Sequence, residues 1–250
     1  MEFRIFPYPE KGICTPFVID NKNGLFIRGF SDRFNKHKVV IKYLSKCNVM
    51  TTGIPSKNII GTKLPNRRMI LKLLKDSENI NSEFYSYVKN TFVIPTFPIN
   101  IEEALVKTVI RQVITVKQAK LLYSSFIKQF GSMDNGIYYF PNCEQLKAIN
   151  IKNLKKLGLG FKADRIYHGL RMLKRAKIDE LDRIHGIGTW SQKILEVETK
   201  KSYSYYPFWD LSGFKIKKVC GIDVQALSMI NCKLAGDIYI YASSFMEYRK

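Results

Sequence analysis

The sequence predicts an α+β protein in which a β-rich N-terminal part precedes a mainly helical remainder. Two observations support this fold class. Residues 1–65 contain short aromatic and β-branched runs separated by turn-forming residues, whereas most of residues 66–250 place apolar residues at helical spacing. The chain has 250 residues, of which 46% are hydrophobic, and is therefore long enough to bury a substantial core. We expect two parts, residues 1–65 and 66–250.

The N-terminal part is predicted to form an antiparallel sheet. Its candidate strands are residues 3–6, 17–19, 25–28 and 39–43. Residues 21–24, with the sequence Asn-Lys-Asn-Gly, have the composition of a hairpin turn. A helical pattern follows over residues 66–91, and its candidates for burial are Met69, Leu71, Leu73, Leu74, Phe84 and Val88.

Two prolines break the helical pattern at residues 92–100, and helices resume after that point. Asn100 and Thr115 are predicted N-caps, because Glu103 and Gln118 follow them by three positions. Apolar residues then repeat near one face of each helix, namely Leu105, Val109, Val113 and Val116 in the first and Ala119, Leu122, Phe126 and Phe130 in the second. Gly131 is expected to end the second helix. Further helices are predicted at residues 143–149, 163–175, 190–198, 211–219 and 238–246.

The charge of the chain points to a polyanionic partner. Lys and Arg number 41 against 21 Asp and Glu, which gives a net charge of +20. A field of this size attracts nucleic acid. The alternative is a solvated surface typical of a basic, Lys-rich proteome. Since the sequence contains no signal peptide and no apolar run long enough to span a membrane, we expect an intracellular protein without a membrane partner. It would be cytoplasmic and associated with the nucleoid, or nuclear in a eukaryote.

Cysteine and histidine usage argues against a metal centre. The five cysteines are scattered and form no Cys-x-x-Cys pair, and the three histidines lie far apart in the sequence. We therefore expect no zinc site, no iron–sulfur cluster and no disulfide framework.

A Gly-x-Gly turn at Gly186 and Gly188 precedes a predicted helix that begins at Trp190. Glycines let the backbone approach a partner closely, and the N–H groups at the start of a helix favour a bound phosphate. Such a turn also occurs as an ordinary connection between helices. A single acidic residue, Asp210, follows in the aromatic loop 207–210 and just before another predicted helix.

Taken together, these motifs resemble the helix-hairpin-helix (HhH-GPD) DNA glycosylase superfamily, and within it the 3-methyladenine DNA glycosylase branch. The resemblance covers about residues 66–250 and rests on segments 103–119, 157–166, 184–190 and 207–210. Asp210 follows Trp190 by 210 − 190 = 20 positions, as in the bacterial inducible enzyme of that branch. The resemblance implies a cleft between helical subdomains at about residues 100–230. It also implies a monomer that acts on damaged bases in double-stranded DNA without a cofactor, with a monovalent cation at the hairpin left open.

By this resemblance Asp210 is the catalytic carboxylate, because cleavage of an N-glycosidic bond builds positive charge on the deoxyribose. The alternative role, an N-cap for the following helix, is compatible with catalysis. Trp190 stands where bifunctional members carry a lysine nucleophile, which predicts a monofunctional enzyme that leaves an abasic site. An indole also stacks well on an electron-poor alkylated purine. The candidates for the base pocket are Trp190, Trp209, Tyr206, Tyr239 and Tyr241, with core packing as the alternative for the tyrosines.

The resemblance further implies that the hairpin and the loop at residues 112–115 contact DNA. Val113 or Ile114 would be the apolar wedge that fills the gap left by a flipped nucleotide, with core burial as the alternative. The full set of candidate DNA-binding residues is Gly186, Ile187, Gly188, Thr189, Gln112, Val113, Ile114, Lys162 and Arg165. Residues 235–244 lack the arginine and tryptophans that usually close the active site, so the substrate range can differ. The other functions considered are a bifunctional 8-oxoguanine-type glycosylase/lyase, a non-catalytic DNA-binding module and an RNA-binding protein.

Overall fold

The computed structural model describes residues 2–6, 17–20, 25–31, 36–45, 48–52, 64–173, 181 and 183–249. The chain forms two compact units, and each unit is assembled from separate stretches of sequence. Unit 1 comprises Met1–Tyr8, Ser56–Phe97 and Glu196–Lys250, and unit 2 comprises Pro9–Pro55 and Pro98–Leu195. The expected single boundary after residue 65 does not match this division, because the first strand pairs with a strand that follows residue 90.

The described part of the chain contains short strands and helices. The strands are β1 (Glu2–Phe6), β2 (Phe17–Asp20), β3 (Leu25–Ser31), β4 (Lys36–Ser45), β5 (Asn48–Thr52), β6 (Thr91–Pro95), β7 (Ser132–Asp134) and β8 (Ile137–Tyr139). The helices are α1 (Arg67–Lys75), α2 (Ser82–Asn90), α3 (Ile101–Arg111), α4 (Val116–Phe130), α5 (Cys143–Ala148), α6 (Ile151–Leu154), α7 (Lys162–Met172), α8 (Thr189–Lys200), α9 (Leu211–Cys220) and α10 (Val224–Tyr248). A π-helical turn, Lys155–Leu159, and a 3₁₀ turn, Tyr203–Tyr205, complete the set.

Unit 1 contains a two-stranded parallel sheet. β1 pairs with β6, with Glu2 opposite Thr91 and Phe6 opposite Pro95. The expectation that the first strand belongs to an antiparallel sheet is therefore wrong. Its partner β6 lies in the segment that the prolines at 95 and 98 marked as a break, and all five of its residues are buried. The two prolines predicted a break between helices, but Pro95 stands at the last position of β6 and leaves the strand intact.

Helices α1, α2 and α10 supply most of the other core residues of unit 1. Leu74, Phe84 and Val88 are buried as expected, whereas Met69 is 45% exposed and Ile70 takes its place in the core. Helix α10 is longer than predicted and is kinked at Asn231, whose side chain accepts a hydrogen bond from the Leu234 N–H at 3.0 Å. Asn231 thus serves as an internal N-cap where the helix changes direction.

Unit 2 contains the predicted antiparallel sheet. The strand order is β2-β3-β4-β5, which confirms the strands expected at residues 17–19, 25–28 and 39–43. The turn expected at residues 21–24 lies outside the described residues. β7 and β8 form a further antiparallel pair that the sequence did not predict.

The helices of unit 2 begin and end where local capping chemistry places them. Asn100 accepts a hydrogen bond from the Glu103 N–H at 2.9 Å, Thr115 and Gln118 form a reciprocal capping box, and Gly131 follows α4 as its C-cap. All three predictions are confirmed. Val113 and Val116 were expected on the apolar face of the first helix, and this prediction is wrong. Helix α3 ends at Arg111, and the two valines are 89% and 55% exposed. The core of unit 2 includes Leu105, Val109, Phe126, Ile166 and Leu195.

The remaining predicted helices correspond to described helices with shifted ends. Helix α7 begins at Lys162, and residues 174 and 175 of the expected helix 163–175 lie outside the described part. Among the described helices, none combines the length and apolar character needed to cross a bilayer.

Candidate functional site

The Gly-x-Gly segment of unit 2 forms a tight turn that leads into α8. Gly186 has a left-handed φ of +85°, and the Ile187 N–H donates to the Ile184 carbonyl at 2.9 Å. Ile187 is buried and anchors the turn, whereas Gly188 and Thr189 are exposed. A Cβ atom added to Gly188 would have no neighbour within 4 Å. The first-turn N–H groups of α8 therefore start beside an open surface, which is the arrangement that suits a bound phosphate.

Gln112 lies beneath this turn and is only 6% exposed. Its Nε2 donates to the Gly186 carbonyl at 2.8 Å and to Ser191 Oγ at 2.7 Å. Its Oε1 accepts a hydrogen bond from Arg165 at 2.6 Å. The hydrogen-bonding capacity of the Gln112 side chain is thus directed into the protein. Gln112 was expected to contact DNA; its buried side chain supports the hairpin from below, and a DNA contact at this residue stays a prediction.

Arg165 and Lys162 were also expected to contact DNA; Arg165 is half-buried and donates to Gln112, and Lys162 is buried. The guanidinium carbon of Arg165 lies 4.5 Å from the centre of the Phe161 ring. Lys162 is 4% exposed, and its Nζ donates to the Ile110 carbonyl in the last turn of α3 at 2.7 Å. Burial, followed by the nearby charge of Arg165, lowers the pKa of Lys162. A basic group that is buried against a helix C-terminus stabilises that terminus and cannot reach a phosphate on the surface.

Val113 and Ile114, the two wedge candidates, differ in exposure. Val113 follows the C-cap of α3 with φ +55° and is 89% exposed. Ile114 packs partly against the core of unit 2. A β-branched residue with positive φ is strained, and such strain persists only where the surrounding structure imposes it. Of the two candidates, only Val113 presents a free apolar side chain to solvent.

Asp210 of unit 1 is the N-cap of α9, as the alternative role expects. Its Oδ1 accepts from the Ser212 N–H at 2.9 Å and from the Gly213 N–H at 3.4 Å. Its Oδ2 accepts from the Tyr206 hydroxyl at 2.7 Å. The residue as a whole is half-buried. It is therefore a fixed anion whose orientation is set by a helix terminus and by a phenol.

The aromatic residues around Asp210 are mostly packed within unit 1. Tyr206 stacks on Tyr239 with ring centres 4.0 Å apart, and both side chains are buried. Tyr241 is fully buried. All three tyrosines are thus packed in the core, as the core-packing alternative expects, and their place in a base pocket stays a prediction. Trp209 is 52% exposed, and Trp190 is half-buried in the first turn of α8 in unit 2.

Reasoning from the sequence missed the two polar linkages that hold these sites in place. Tyr206 precedes Asp210 by four positions, and the hydrogen bond between them depends on the course of the loop that joins them. The Gln112 linkage joins residues 53 to 79 positions apart. Spacing alone does not reveal contacts of this kind.

The possible ligands of a metal ion or a monovalent cation are the described side chains and the carbonyls of the hairpin. In the described part of the chain, no group of three His, Cys, Asp or Glu side chains is placed to hold a metal ion. The hairpin carbonyls of Ile184 and Gly186 already accept hydrogen bonds from the Ile187 N–H and from Gln112. A monovalent cation at the hairpin would share these oxygens, each of which has a second lone pair.

Comparison with known proteins gave matches among solved structures. No family model matches the sequence, and a search of curated proteins gave no match either. The 3-methyladenine DNA glycosylase from Archaeoglobus fulgidus superposes with a TM-score of 0.69 at 18% identity, over 93% of this chain and 90% of that one.

The 8-oxoguanine glycosylase/lyase from Clostridium acetobutylicum, solved with duplex DNA, gives a TM-score of 0.61 at 14% identity, over 95% and 90% of the two chains. MBOgg1, solved with a low-affinity DNA ligand, gives 0.59 at 16% identity, over 95% and 91%. The similarity extends through nearly the full length of each protein. This chain therefore has the α+β fold of the helix-hairpin-helix DNA glycosylases.

Proposed function

We propose that this protein is a monofunctional DNA glycosylase that releases alkylated purines of the 3-methyladenine type from double-stranded DNA and leaves an abasic site. The observation that carries the proposal is the environment of Asp210. A half-buried carboxylate is fixed by two backbone N–H groups and a tyrosine hydroxyl in a chain with a glycosylase fold. This arrangement supplies a preorganised negative charge.

The proposed chemistry is hydrolysis of an N-glycosidic bond. As the bond to the base breaks, the deoxyribose gains positive charge, and the Asp210 carboxylate stabilises that charge more strongly than it stabilises the neutral sugar. The base leaves with the electrons of the broken bond, as a neutral purine where alkylation had made it cationic. Water then adds to the sugar carbon and releases one proton to solvent. Alkylation makes a purine electron-poor and a good leaving group, so little help from a general acid is needed. No cofactor takes part in this scheme.

Trp190 supports the monofunctional reaction and the choice of base. It occupies the first turn of α8, directly after the exposed Gly188 and Thr189. An indole cannot form a Schiff base with the sugar, whereas a lysine amine can. Its electron-rich face can bind a cationic base, with a contribution of about 0.5–2 kcal/mol.

The DNA would be held chiefly through its backbone. The open N–H groups at the start of α8 suit a phosphate, and the net charge of +20 attracts the polyanion over a longer range. Val113, exposed and strained, is suited to enter the base stack when the damaged nucleotide rotates outward. Gly188 and Thr189 lie on the exposed turn at the start of α8.

An 8-oxoguanine-type glycosylase/lyase is the second candidate, because the similar structure from Clostridium acetobutylicum carries that name. The two candidates differ in covalent chemistry. A lyase traps its DNA substrate covalently when borohydride reduces the Schiff base, and it nicks the strand without alkali. The proposed enzyme does neither.

The test uses end-labelled duplexes that each carry one damaged base, including 3-methyladenine, 7-methylguanine, hypoxanthine, ethenoadenine and 8-oxoguanine. Base release is scored by strand breakage after alkali, and lyase activity is scored by breakage without alkali. We expect alkali-dependent breakage at alkylated purines. Breakage without alkali, or covalent trapping by borohydride, would contradict the monofunctional assignment.

Asp210→Asn and Asp223→Asn form a matched pair for the role of the carboxylate. Each aspartate is an N-cap in unit 1, and Asp223 accepts a hydrogen bond from the Ala226 N–H at 3.0 Å. Asparagine caps helices about as well as aspartate, so both variants should remain folded. We expect Asp210→Asn to slow base release by about 100-fold or more, as loss of transition-state charge stabilisation does. Asp223→Asn should match the wild type. Equal rates for Asp210→Asn and the wild type would refute the mechanism.

A further inference from the structure

The side chain of Gln112 connects three helices of unit 2. Gln112 is the C-cap residue of α3, its oxygen accepts from Arg165 of α7, and its nitrogen donates to Ser191 in the first turn of α8. The same nitrogen donates to the Gly186 carbonyl in the turn before α8. Both amide hydrogens and the amide oxygen of this buried side chain therefore have partners.

Arg165 determines which way the Gln112 amide faces. A guanidinium can only donate hydrogen bonds, so the amide oxygen must be the atom that meets it. The amide nitrogen is then directed at the Gly186 carbonyl and at Ser191 Oγ. Because the bond from Arg165 is charge-assisted and 2.6 Å long, it holds this orientation firmly. Phe161, whose ring lies 4.5 Å from the guanidinium carbon, restricts the arginine from another side.

Gln112 is also the residue directly before Val113. On the other side of Val113, Ile114 packs partly against the core. Since both neighbours are fixed, the left-handed backbone of Val113 is imposed on it from each side. The buried Gln112 side chain thus connects the turn at Gly186 with residues 112–114, which we call the Val113 segment.

We infer that Gln112, oriented by Arg165, is a positioning residue that holds the DNA-binding turn and the Val113 segment in a fixed relation to each other. This inference rests on the proposed function, because it takes both segments to be DNA contacts. It assigns neither Gln112 nor Arg165 a direct contact with phosphate. Without the Gln112 linkage the turn would become ordered only when DNA binds, and the entropy lost in ordering it would lower the affinity for DNA.

Three variants separate the bonds of the linkage. Gln112→Met has a similar length and makes no hydrogen bond. Gln112→Glu still accepts from Arg165 but places a carboxylate oxygen against the Gly186 carbonyl. Ser191→Ala is the matched control, because it removes one hydrogen bond and leaves the bond to Gly186 in place.

The measurement is the dissociation constant for a duplex with a tetrahydrofuran abasic analogue, obtained by fluorescence anisotropy at several salt concentrations. We expect both Gln112 variants to bind about tenfold or more weakly, since each loses the hydrogen bond to the Gly186 carbonyl that holds the turn. Gln112→Met also loses the bond to Ser191, whereas the Ser191 hydroxyl can donate to the carboxylate of Gln112→Glu. Ser191→Ala should stay within about threefold of the wild type. Titration of the active fraction accompanies each measurement, because a purely structural defect would lower that fraction and leave the dissociation constant of the folded molecules unchanged.

The salt dependence distinguishes positioning from direct contact. If Arg165 neutralised a phosphate, Arg165→Met would reduce the slope of log affinity against log salt by about 1. Positioning predicts weaker binding with the slope of the wild type. A reduced slope for Arg165→Met, or wild-type affinity for Gln112→Met, would overturn the inference.

The outcomes for this inference and for the proposed function are separable. If the wild type binds DNA but releases no base, the proposed function is contradicted, and the affinities of the Gln112 variants can still be compared with that of the wild type. Base release together with wild-type affinity in both Gln112 variants contradicts the inference alone. Failure of the wild type to bind any duplex would contradict both.

Discussion

Replacement of Gly186 by alanine should destabilise unit 2 through two separate effects. Gly186 has φ +85°, a conformation that costs an L-residue with a Cβ atom about 1–2 kcal/mol. The new Cβ would also lie 2.0 Å from the Cζ and Nε atoms of Arg165, so the arginine side chain must move. Its displacement breaks the 2.6 Å bond to Gln112, and a hydrogen bond to a charged group contributes about 1.5–3 kcal/mol. The expected loss in free energy of unfolding is therefore about 3–5 kcal/mol.

Gly188→Ala is the matched control, two positions away in the same turn. A Cβ atom there has no neighbour within 4 Å, and the residue is not among those with positive φ. Its effect on the free energy of unfolding should be within about 0.5 kcal/mol, or slightly stabilising because alanine restricts the unfolded chain. The contrast between the two glycines isolates the contribution of the Arg165 contact and of the left-handed backbone.

The assay is urea unfolding followed by tryptophan fluorescence in a Trp209→Phe background. Trp209 belongs to unit 1, so its removal leaves Trp190 as the reporter of unit 2. We expect the midpoint to fall strongly for Gly186→Ala and to stay unchanged for Gly188→Ala, with equal slopes. Equal midpoints for the two variants would refute the close approach of Arg165 to the turn, and with it the support that the turn receives from below.

Three further predictions follow from single contacts. Tyr206→Phe should slow base release by about tenfold or more while the ring stack stays in place, because the variant removes the hydroxyl that bonds Asp210 and, at 3.2 Å, Ser212 Oγ; single-turnover kinetics with an unchanged melting temperature would agree, and an unchanged rate would show that the phenol does not hold the carboxylate. Val113→Asn should leave the protein equally or more stable, since asparagine tolerates positive φ, yet slow base release; a rate equal to that of the wild type would argue against a wedge at this position. Burial raises the pKa of Cys220 to about 12, so a thiol reagent at pH 8 should label the exposed Cys143 and spare Cys220 until denaturant is added; peptide mapping by mass spectrometry checks this, and rapid labelling of Cys220 in the native protein would contradict its burial.

Local chemistry explains which parts of the fold could be predicted from the sequence. The caps at Asn100 and Thr115 and the end of α4 at Gly131 depend on residues within one helical turn, and all were predicted correctly. The parallel pairing of β1 with β6 joins Phe3 to Phe92, 92 − 3 = 89 positions later in the sequence, with residues of unit 2 between them. No local pattern carries information about a partner at that distance, so the first strand was assigned to the wrong sheet.

The candidate site shows the same limit for side-chain direction. The order of the motifs located Gln112, Lys162 and Arg165 near the hairpin, and the structure places them there. Their direction depends on whether a buried carbonyl or amide needs a partner, which only the packed structure determines. Lys162 was expected at the surface and is buried for this reason. Exposure of Val113 and capping by Asp210 were both among the alternatives considered from the sequence.

The interleaved course of the chain has a consequence for its synthesis on the ribosome. The last segment of unit 2 ends at Leu195, whereas unit 1 requires both Met1–Tyr8 and Glu196–Lys250. Because translation delivers the N-terminus first, the first strand of unit 1 must wait for nearly the whole chain before its unit can close. A nonsense mutation or premature stop near residue 200 would thus release a polypeptide with one complete unit and the unfinished, apolar pieces of the other, which is a natural target for chaperones and proteases.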